Sequence, residues 1–291
     1  NGSATPVATE APYITESPYA TEAPVATEAP SLTIGSIMIS PIDGMEMMYV
    51  PAGEFIMGSN AELGLSVCEG FWGAGECNID WFIDEEPTHQ VNLEPYWIDK
   101  TEVTNGMYEK CVKANVCSSI DSNSAHPYDT YYGDQSYNNY PVINVTWFQA
   151  DTYCEWAGRN LPTEAQWEKA ARGTIGQIFP WGDQSITQDL ANIGGSYGPT
   201  IAGLYSDDIS PFLVVDMAGN VQEWVSDWYD DDYYIYGPTV NPTGPLTGTL
   251  HVVRGGGWVT GIDFGISSYR YGENPVYSDL STGFRCAQPA N

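Results

Sequence analysis

Apolar and polar residues alternate with helical spacing in three short segments of the chain, residues 105–115, 147–158 and 164–172. In each segment apolar residues recur three or four positions apart, as they do on the buried face of a helix. A threonine precedes each segment, and two of these threonines are followed three residues later by glutamine, the capping-box pattern of a helix start. The pattern predicts three helices with N-caps at Thr104, Thr146 and Thr163.

Residues 31–40 instead alternate apolar and polar positions with the period of a strand. We interpret residues 31–44 as a connecting strand that leads into a domain covering residues 45–291. This strand could pair within its own fold or be added to the sheet edge of a neighbouring copy. After Arg172 the chain is rich in glycine, proline, aspartate and aromatic residues, with only short strand patterns such as 250–253, so an irregular, loop-rich α+β domain is expected.

The first 30 residues form a hexapeptide repeat in which a proline recurs every six positions, with a threonine midway between prolines. Proline at this density favours a polyproline II conformation. Residues 1–30 are therefore predicted to be an extended Pro/Thr/Glu arm. It could be a glycosylated stalk or an arm that docks on another copy. The candidate glycosylation sites are Thr9, Thr15, Thr21 and Thr27.

The composition is strongly acidic, with 38 Asp and Glu against 9 Lys and Arg and a net charge of −29. This balance argues against nucleic acid or an anionic membrane surface as a partner. No apolar run is long enough to span a bilayer. Because the chain begins at Asn1 without an initiator methionine, we expect a mature form from which a signal segment has been removed.

Six cysteines are present, and two pairs are close in sequence, Cys68 with Cys77 and Cys111 with Cys117. These spacings suggest two local disulfides and leave Cys154 and Cys286 for a long-range bridge. Six reduced thiols or a zinc site are the alternatives, but no CxxC pair supports zinc. Three disulfides would indicate an oxidising compartment, so we predict an extracellular or cell-surface location.

The segment 216–228, DMAGNVQEWVSDW, combines two acidic residues with a glycine turn. Calcium takes six to eight oxygen ligands from carboxylates and from carbonyls that a turn exposes. Asp216 and Glu223 could supply carboxylates, while Gly219 would allow a tight turn. A solvated acidic loop without a metal is the alternative in a chain this acidic.

This segment resembles the corresponding stretch of the formylglycine-generating-enzyme (sulfatase-modifying factor) family. Other motifs of that family follow in order, and the resemblance extends from about Met45 to Gln288. The motifs are MYVPAGEFIMGS at 48–59, EVTN at 102–105, PVINVTW at 141–147, GRNLPTEAQWE at 158–168, FPWG at 179–182, RGGGW at 254–258 and GFRC at 283–286.

The resemblance implies a fold related to C-type lectins and a bridge between Cys154 and Cys286. It also implies one calcium site formed by Asp216, Glu223 and the carbonyls of Gly219 and Val221. A second calcium site is matched only in part, by Asn192 and the carbonyl of Ile193. Arg254 and Arg285, beside Gly-Gly and Gly-Phe, are expected to pair with acidic neighbours.

The family's oxidases bind copper(I) through two cysteines, and this chain carries neither. Thr260 stands at the first position and Ser268 at the second, followed by Arg270, and no cysteine lies between Cys154 and Cys286. Thiolates suit copper(I), whereas hydroxyls do not. An iron-dependent branch of the family uses a His-x3-His-x-Glu motif, which the three histidines here, His89, His126 and His251, do not form. We therefore expect neither copper nor iron, and no catalysis.

Three functions are compatible with these patterns. We favour a non-catalytic extracellular subunit that self-assembles into a filament, with other copies as partners through residues 1–40. A stalked binding module for a protein or glycan ligand is the first alternative, for which the tyrosine-rich loops at 128–140 and 229–236 are candidates. An enzyme with altered chemistry near Thr260, Ser268 and Arg270 is the second alternative. Asn144 begins an N-glycosylation motif, although Thr146 is also a predicted helix cap.

Overall fold

The computed structural model describes residues 1–4, 8, 31–120, 128, 130–187 and 189–290. The chain divides into two compact units, residues 1–31 and 32–291. Almost all of the repeat arm, including the four candidate glycosylation threonines, lies outside the described residues, as does His126. Among the described residues, every helix is too short or too polar to span a bilayer.

The domain is an α+β structure in which the described residues form ten strands and five α-helices. The strands are β1 (Ile37–Ile39), β2 (Glu46–Val50), β3 (Gly53–Met57), β4 (His89–Leu93), β5 (Tyr96–Asp99), β6 (Gln222–Trp228), β7 (His251–Arg254), β8 (Arg270–Glu273), β9 (Thr282–Phe284) and β10 (Ala287–Pro289). The helices are α1 (Ala61–Trp72), α2 (Asn105–Lys113), α3 (Trp147–Trp156), α4 (Glu164–Arg172) and α5 (Tyr233–Tyr236).

The strand expected between residues 31 and 44 is shorter than predicted and belongs to its own domain. β1 pairs antiparallel with β2 at the edge of a sheet with the order β1-β2-β5-β10. A turn at residues 34–35 precedes it, so the alternation of residues 31–36 does not extend the strand. Ile37 and Ile39 point away from the core and are 54% and 63% exposed.

A second four-stranded sheet, with the order β8-β7-β6-β9, carries the family motif segment. β6 is central: it pairs antiparallel with β7 and parallel with β9. This register places Glu223 opposite Arg254 on one side and Gly283 on the other. Residues that are 30 to 60 positions apart in sequence therefore meet around β6. β3 and β4 form a separate two-stranded antiparallel sheet, although α1 lies between them in sequence.

The three predicted helices are confirmed. Thr104, Thr146 and Thr163 each cap their helix through the side chain, and the last two form complete capping boxes with glutamine. The first two helices end two residues earlier than expected.

Helix α1 was not predicted from the sequence. Its signal was the N-cap Asn60, whose side chain accepts a hydrogen bond from the Leu63 amide. Two glycines dilute the apolar pattern, and one has a packing role, because a Cβ at Gly64 would lie 2.3 Å from the ring of Phe82. At position 64 the helix packs on Phe82 through a glycine, so the apolar side chain that would have revealed a helical pattern is missing.

All three disulfides form as predicted. Cys68 bridges to Cys77, Cys111 to Cys117 and Cys154 to Cys286, and no cysteine is free. The third bridge spans 132 residues and joins α3 to the residue just before β10. The alternatives of free thiols and a zinc site are therefore excluded.

The cations of the chain are placed unevenly. All five arginines and Lys169 are buried, each at 3% exposure or less, and the three remaining lysines lie nearer the surface. The buried arginines pair with acidic side chains, as expected for Arg254 with Glu168 and for Arg285 with Glu223. Few positive charges are left to face the solvent.

The tyrosines of the loop at 128–140 pack mainly on one another. The rings of Tyr128, Tyr131, Tyr137 and Tyr140 lie 4.7 to 6.1 Å apart, and the hydroxyl of Tyr131 donates to the carbonyl of Pro141. Only Tyr131 is fully buried. Packing within the loop therefore accounts for the presence of these four tyrosines.

Candidate functional site

Thr260 closes a tight turn. Its hydroxyl accepts from the amide of Gly257 at 2.8 Å and donates to the carbonyl of the same residue at 3.0 Å. The backbone carbonyl of Thr260 also accepts from the amide of Gly194. Because its hydroxyl both accepts from and donates to Gly257, Thr260 stabilises this turn.

Ser268 is fully buried in a different environment. Its carbonyl accepts from Arg254 at 2.6 Å, and its hydroxyl lies beside the carboxyl group of Glu85 without the geometry of a full hydrogen bond. Glu85 is also fully buried. Burial raises its pKa to about 8, despite the Ser268 hydroxyl and the charge of Arg254, which both favour ionisation. Glu85 is thus a neutral acid near neutral pH.

Arg270 is buried, and it contacts one carboxylate and two aromatic rings. It donates to both oxygens of Glu164, at 2.7 and 3.0 Å. Its guanidinium lies 4.9 Å from the ring centroid of Tyr229 and 4.5 Å from that of Tyr234. The paired acid and the rings together compensate the charge of Arg270.

A groove of about 680 Å³ opens in front of Arg270. Three separate parts of the chain form it: the loop before β4, the segment after β6 and the start of β8. Neither Thr260 nor Ser268 lines it. The residues that bound it are Asp80, Trp81, Ile83, Asp84, Glu86, Pro87, Tyr229, Asp231, Asp232, Ile235, Tyr269, Arg270 and Tyr271. Of these, only Arg270 and Tyr229 were singled out from the sequence.

The acidic side chains of this groove differ in burial. Asp80, Asp231 and Asp232 are exposed, whereas Asp84 is half-buried and accepts a hydrogen bond from the Tyr229 hydroxyl at 2.7 Å. The other carboxylate oxygen of Asp84 is buried and has no hydrogen-bond partner. Burial raises the pKa of Asp84, although the charge of Arg270 opposes this.

The residues predicted to bind calcium meet around β6, where Glu223 is held by a guanidinium and an indole. Arg285 donates to both of its oxygens, at 2.7 Å each, and the indole of Trp167 donates to one of them at 2.8 Å. A guanidinium thus already supplies the positive charge that Glu223 would otherwise take from a metal. The carboxylate of Glu223 does not fit the calcium ligand set in this arrangement.

Asp216 lies among buried carboxyl groups that were not connected with it from the sequence. Burial raises the pKa of Glu102, Asp208 and Asp216, and the charge of Asp216 raises the first two further. One oxygen of Glu102 and one of Asp208 are buried without a hydrogen-bond partner. The charge of Arg285, which donates to the carbonyl of Asp216, opposes the rise in pKa of all three carboxyl groups.

Asn192 of the second predicted site lies against the same turn. A Cβ at Gly219 would be 2.9 Å from the carbonyl oxygen of Asn192, and that carbonyl accepts from the amide of Asn220 at 2.8 Å. The side-chain amide of Asn192 donates to Asn220 and Gly198. Ile193 and Val221 are buried beside this turn. In the described part of the chain, no three acidic, histidine or cysteine side chains form a metal-binding group.

Residues 37–290 match the model of the sulfatase-modifying factor enzyme 1-like domain. The chain belongs to this family. The match covers both four-stranded sheets and the three capped helices, so the irregular fold described above is the family's fold.

Relatives of this sulfatase-modifying factor domain include enzymes and larger proteins. The formylglycine-generating enzyme of Streptomyces coelicolor is 32% identical, over 83% of this chain and 88% of that enzyme. The serine/threonine-protein kinase pkn1 of Chlamydia caviae is 31% identical over 84% of this chain. The chain spans 38% of the length of that kinase.

Solved structures agree on the fold. PvdO from Pseudomonas aeruginosa superposes with a TM-score of 0.70 at 23% identity, over 89% of this chain and 100% of that structure. Treponema denticola variable protein 1 gives a TM-score of 0.64 at 22% identity, over 88% of this chain and 99% of that structure. At such identities the likeness shows the fold alone.

Proposed function

We propose that this chain is a non-catalytic member of the sulfatase-modifying factor family that acts outside the cell by binding. One observation supports this most strongly: every cysteine is held in a disulfide, while Thr260 and Ser268 stand where the resemblance places the copper ligands. The three disulfides also favour an oxidising compartment. The groove in front of Arg270 offers a surface that could carry out binding.

The chemical reason is ligand softness. Copper(I) is held by thiolates, and a threonine or serine hydroxyl stays protonated and is a poor ligand for it. The two hydroxyls also have separate surroundings, since Thr260 closes its own turn and Ser268 is buried beside Glu85. Without two thiols at these positions, the oxidation of a substrate cysteine has no metal centre.

Competition with a copper(I) chelator tests this proposal. The protein as it stands should leave the chelator's copper in place and should not convert a cysteine-containing peptide to an aldehyde. A Thr260→Cys, Ser268→Cys variant is the matched comparison, because it restores the residue types at both positions. Stoichiometric copper(I) binding or turnover by the unaltered protein would overturn the proposal.

Self-assembly is the second candidate function, and the edge strand β1 favours it. β1 ends its sheet with Ile37 and Ile39 exposed, and the repeat arm precedes it directly in sequence. An exposed apolar edge strand can pair with another chain. A contact from the arm of one copy to the next would be head-to-tail and would extend as a filament unless it closed into a ring.

Electron microscopy and sedimentation of the full chain test assembly. Ile37→Lys together with Ile39→Lys should abolish filaments, whereas Ile175→Lys, at a position that is 75% exposed, should leave them intact. Monomers from the unaltered chain at every concentration would contradict self-assembly and leave the binding proposal standing.

A further inference from the structure

We propose that the groove in front of Arg270 binds an organic cation, a primary ammonium or guanidinium group carried on an apolar stem. The inference deepens the proposed binding function and rests on it, because it names the ligand class of that surface. A lysine or arginine side chain of another protein and a free polyamine both present this chemistry.

The charge of the groove is the first argument. Five carboxyl groups border it, from Asp80, Asp84, Glu86, Asp231 and Asp232, and the only cation among its lining residues is Arg270. Arg270 offers little to the groove, because both oxygens of Glu164 already hold its guanidinium. The groove is therefore a region of negative potential that attracts cations.

No other arginine or lysine, all of which lie among the described residues, pairs with these acids. The other four arginines are buried in ion pairs of their own, and Lys169 donates to the carbonyls of Pro51 and Gly53. Of the three remaining lysines, Lys100 pairs with Glu46, Lys113 pairs with Glu109, and Lys110 donates to the carbonyl of Asp43. Of the nine lysines and arginines, eight make their contacts outside the groove, and the ninth, Arg270, is paired with Glu164 beneath it.

The walls of the groove show which kind of cation fits. Trp81 and Ile235 are 50% and 68% exposed, and Tyr229, Tyr269 and Tyr271 also contribute to the lining. An ammonium or guanidinium group gains from an aromatic face, and its methylene stem can pack on the apolar parts. A bare metal ion gains nothing from such walls, and no three acidic side chains of the described residues converge to ligate one.

Asp84 supplies the acceptor at the base of the groove. Its one oxygen is fixed by the Tyr229 hydroxyl, and the other is buried with no hydrogen-bond partner. Buried polar atoms without a partner are uncommon, because each costs free energy. Asp84 thus brings to the lining of the groove a carboxylate whose hydrogen-bonding capacity is only partly used within the protein. Arg270 also donates to the carbonyl of Asp84, which holds the backbone there in place.

Titration of the full chain, followed by calorimetry and tryptophan fluorescence, tests the proposal. The probes are spermidine, an otherwise uncharged peptide with one central arginine or lysine, calcium chloride and a neutral oligosaccharide. We expect saturable binding of the cationic probes that weakens about tenfold or more between low and high salt. Tighter binding of the peptides than of spermidine would indicate a protein partner, and the reverse order a free polyamine.

The variants locate the binding. Asp231→Asn with Asp232→Asn should weaken binding of the cationic probes at least tenfold; both residues are exposed, and Asp232 makes no side-chain capping bond to α5. Trp81→Ala should do the same and remove the fluorescence change. Glu94→Gln and Tyr197→Ala, at exposed sites outside the groove, should change neither.

Three results would overturn the inference: no binding of any cationic probe, equal binding by the groove variants and the controls, or binding of the neutral oligosaccharide alone. The last result would make the groove a glycan site and would leave the non-catalytic binding function in place. That function fails separately, through copper binding or turnover.

Discussion

Arg285, which follows β9, donates two hydrogen bonds of 2.7 Å each to Glu223, the second residue of β6. The guanidinium also donates to the carbonyls of Asp99, Val215 and Asp216. Both side chains of this pair are at most 1% exposed. One arginine therefore joins both four-stranded sheets to the turn that contains the family motif.

Removing this arginine should destabilise the fold strongly. Arg285→Met leaves the carboxylate of Glu223 buried without its cation, and breaking a buried pair in this way costs about 3–5 kcal/mol. Lys113→Met is the matched control, because its pair with Glu109 is a solvent-exposed i,i+4 contact worth about 0.5 kcal/mol. Urea denaturation measures both. Similar losses in the two variants would contradict the role assigned to Arg285.

The long disulfide should contribute more stability than the short one. In the chain-entropy model, a bridge with a separation of 132 residues contributes about 5 kcal/mol, and one with a separation of 6 about 2 kcal/mol. Cys154→Ala with Cys286→Ala should therefore lower the free energy of unfolding by about 3 kcal/mol more than Cys111→Ala with Cys117→Ala. Denaturation of both double variants tests the order, and equal losses would show that unfolded-chain entropy does not dominate.

Glu85 should make stability depend on pH. Its pKa is raised from 4.5 to about 8 by burial, so the folded chain holds a proton that the unfolded chain releases between these values. The contribution of Glu85 is complete below about pH 4.5 and is lost as pH rises through about 8. The limiting slope is about 1.4 kcal/mol per pH unit.

The neutral variant Glu85→Gln isolates this effect. It should match the unaltered protein near pH 5 and be progressively more stable than it up to pH 8, because glutamine has no proton to lose. The exposed Glu62→Gln should show no such trend. A pH-independent difference between Glu85→Gln and the unaltered protein would mean that Glu85 is ionised in the fold.

Calcium binding stays a prediction, now centred on Asp216. A site there would take carbonyls from the turn at Gly219 and would relieve the crowding of Asp216 with Glu102 and Asp208. Calcium at about 100 times its dissociation constant would then stabilise the protein by about 2.7 kcal/mol relative to chelator. Asp216→Asn should lose most of that gain, measured as the shift in melting temperature. No shift in the unaltered protein would show that the resemblance does not extend to the metal.

The parts predicted well from the sequence depend on local interactions. Thr104, Thr146 and Thr163 identify helix starts because a cap and its partner lie within three residues. Cys68 with Cys77 and Cys111 with Cys117 are likewise close in sequence. The pairing of Arg254 with an acidic neighbour and the irregular fold were expected because the family motifs are specific.

The groove could not be predicted, because its parts are distant in sequence. Arg270 meets Glu164 across 106 positions, and Asp84 meets Tyr229 across 145. The ion pair of Glu223 was also not predicted, since Arg285 lies 62 positions away. Asp216 and Glu223 are a plausible ligand pair in the sequence, and only the fold shows which carboxylate a guanidinium has already taken.

The burial of every arginine has a consequence for how copies of this protein meet. With the guanidinium groups enclosed, only three lysines remain near the surface of the described residues, so the exposed Asp and Glu side chains leave that surface strongly negative. Two such surfaces repel at low ionic strength, and the repulsion fades once the Debye length shrinks to about 10 Å near 0.1 M salt. Because salt screens this repulsion, copies of the protein should approach one another more closely as the salt concentration rises. The density that the protein reaches on a surface should therefore increase with salinity.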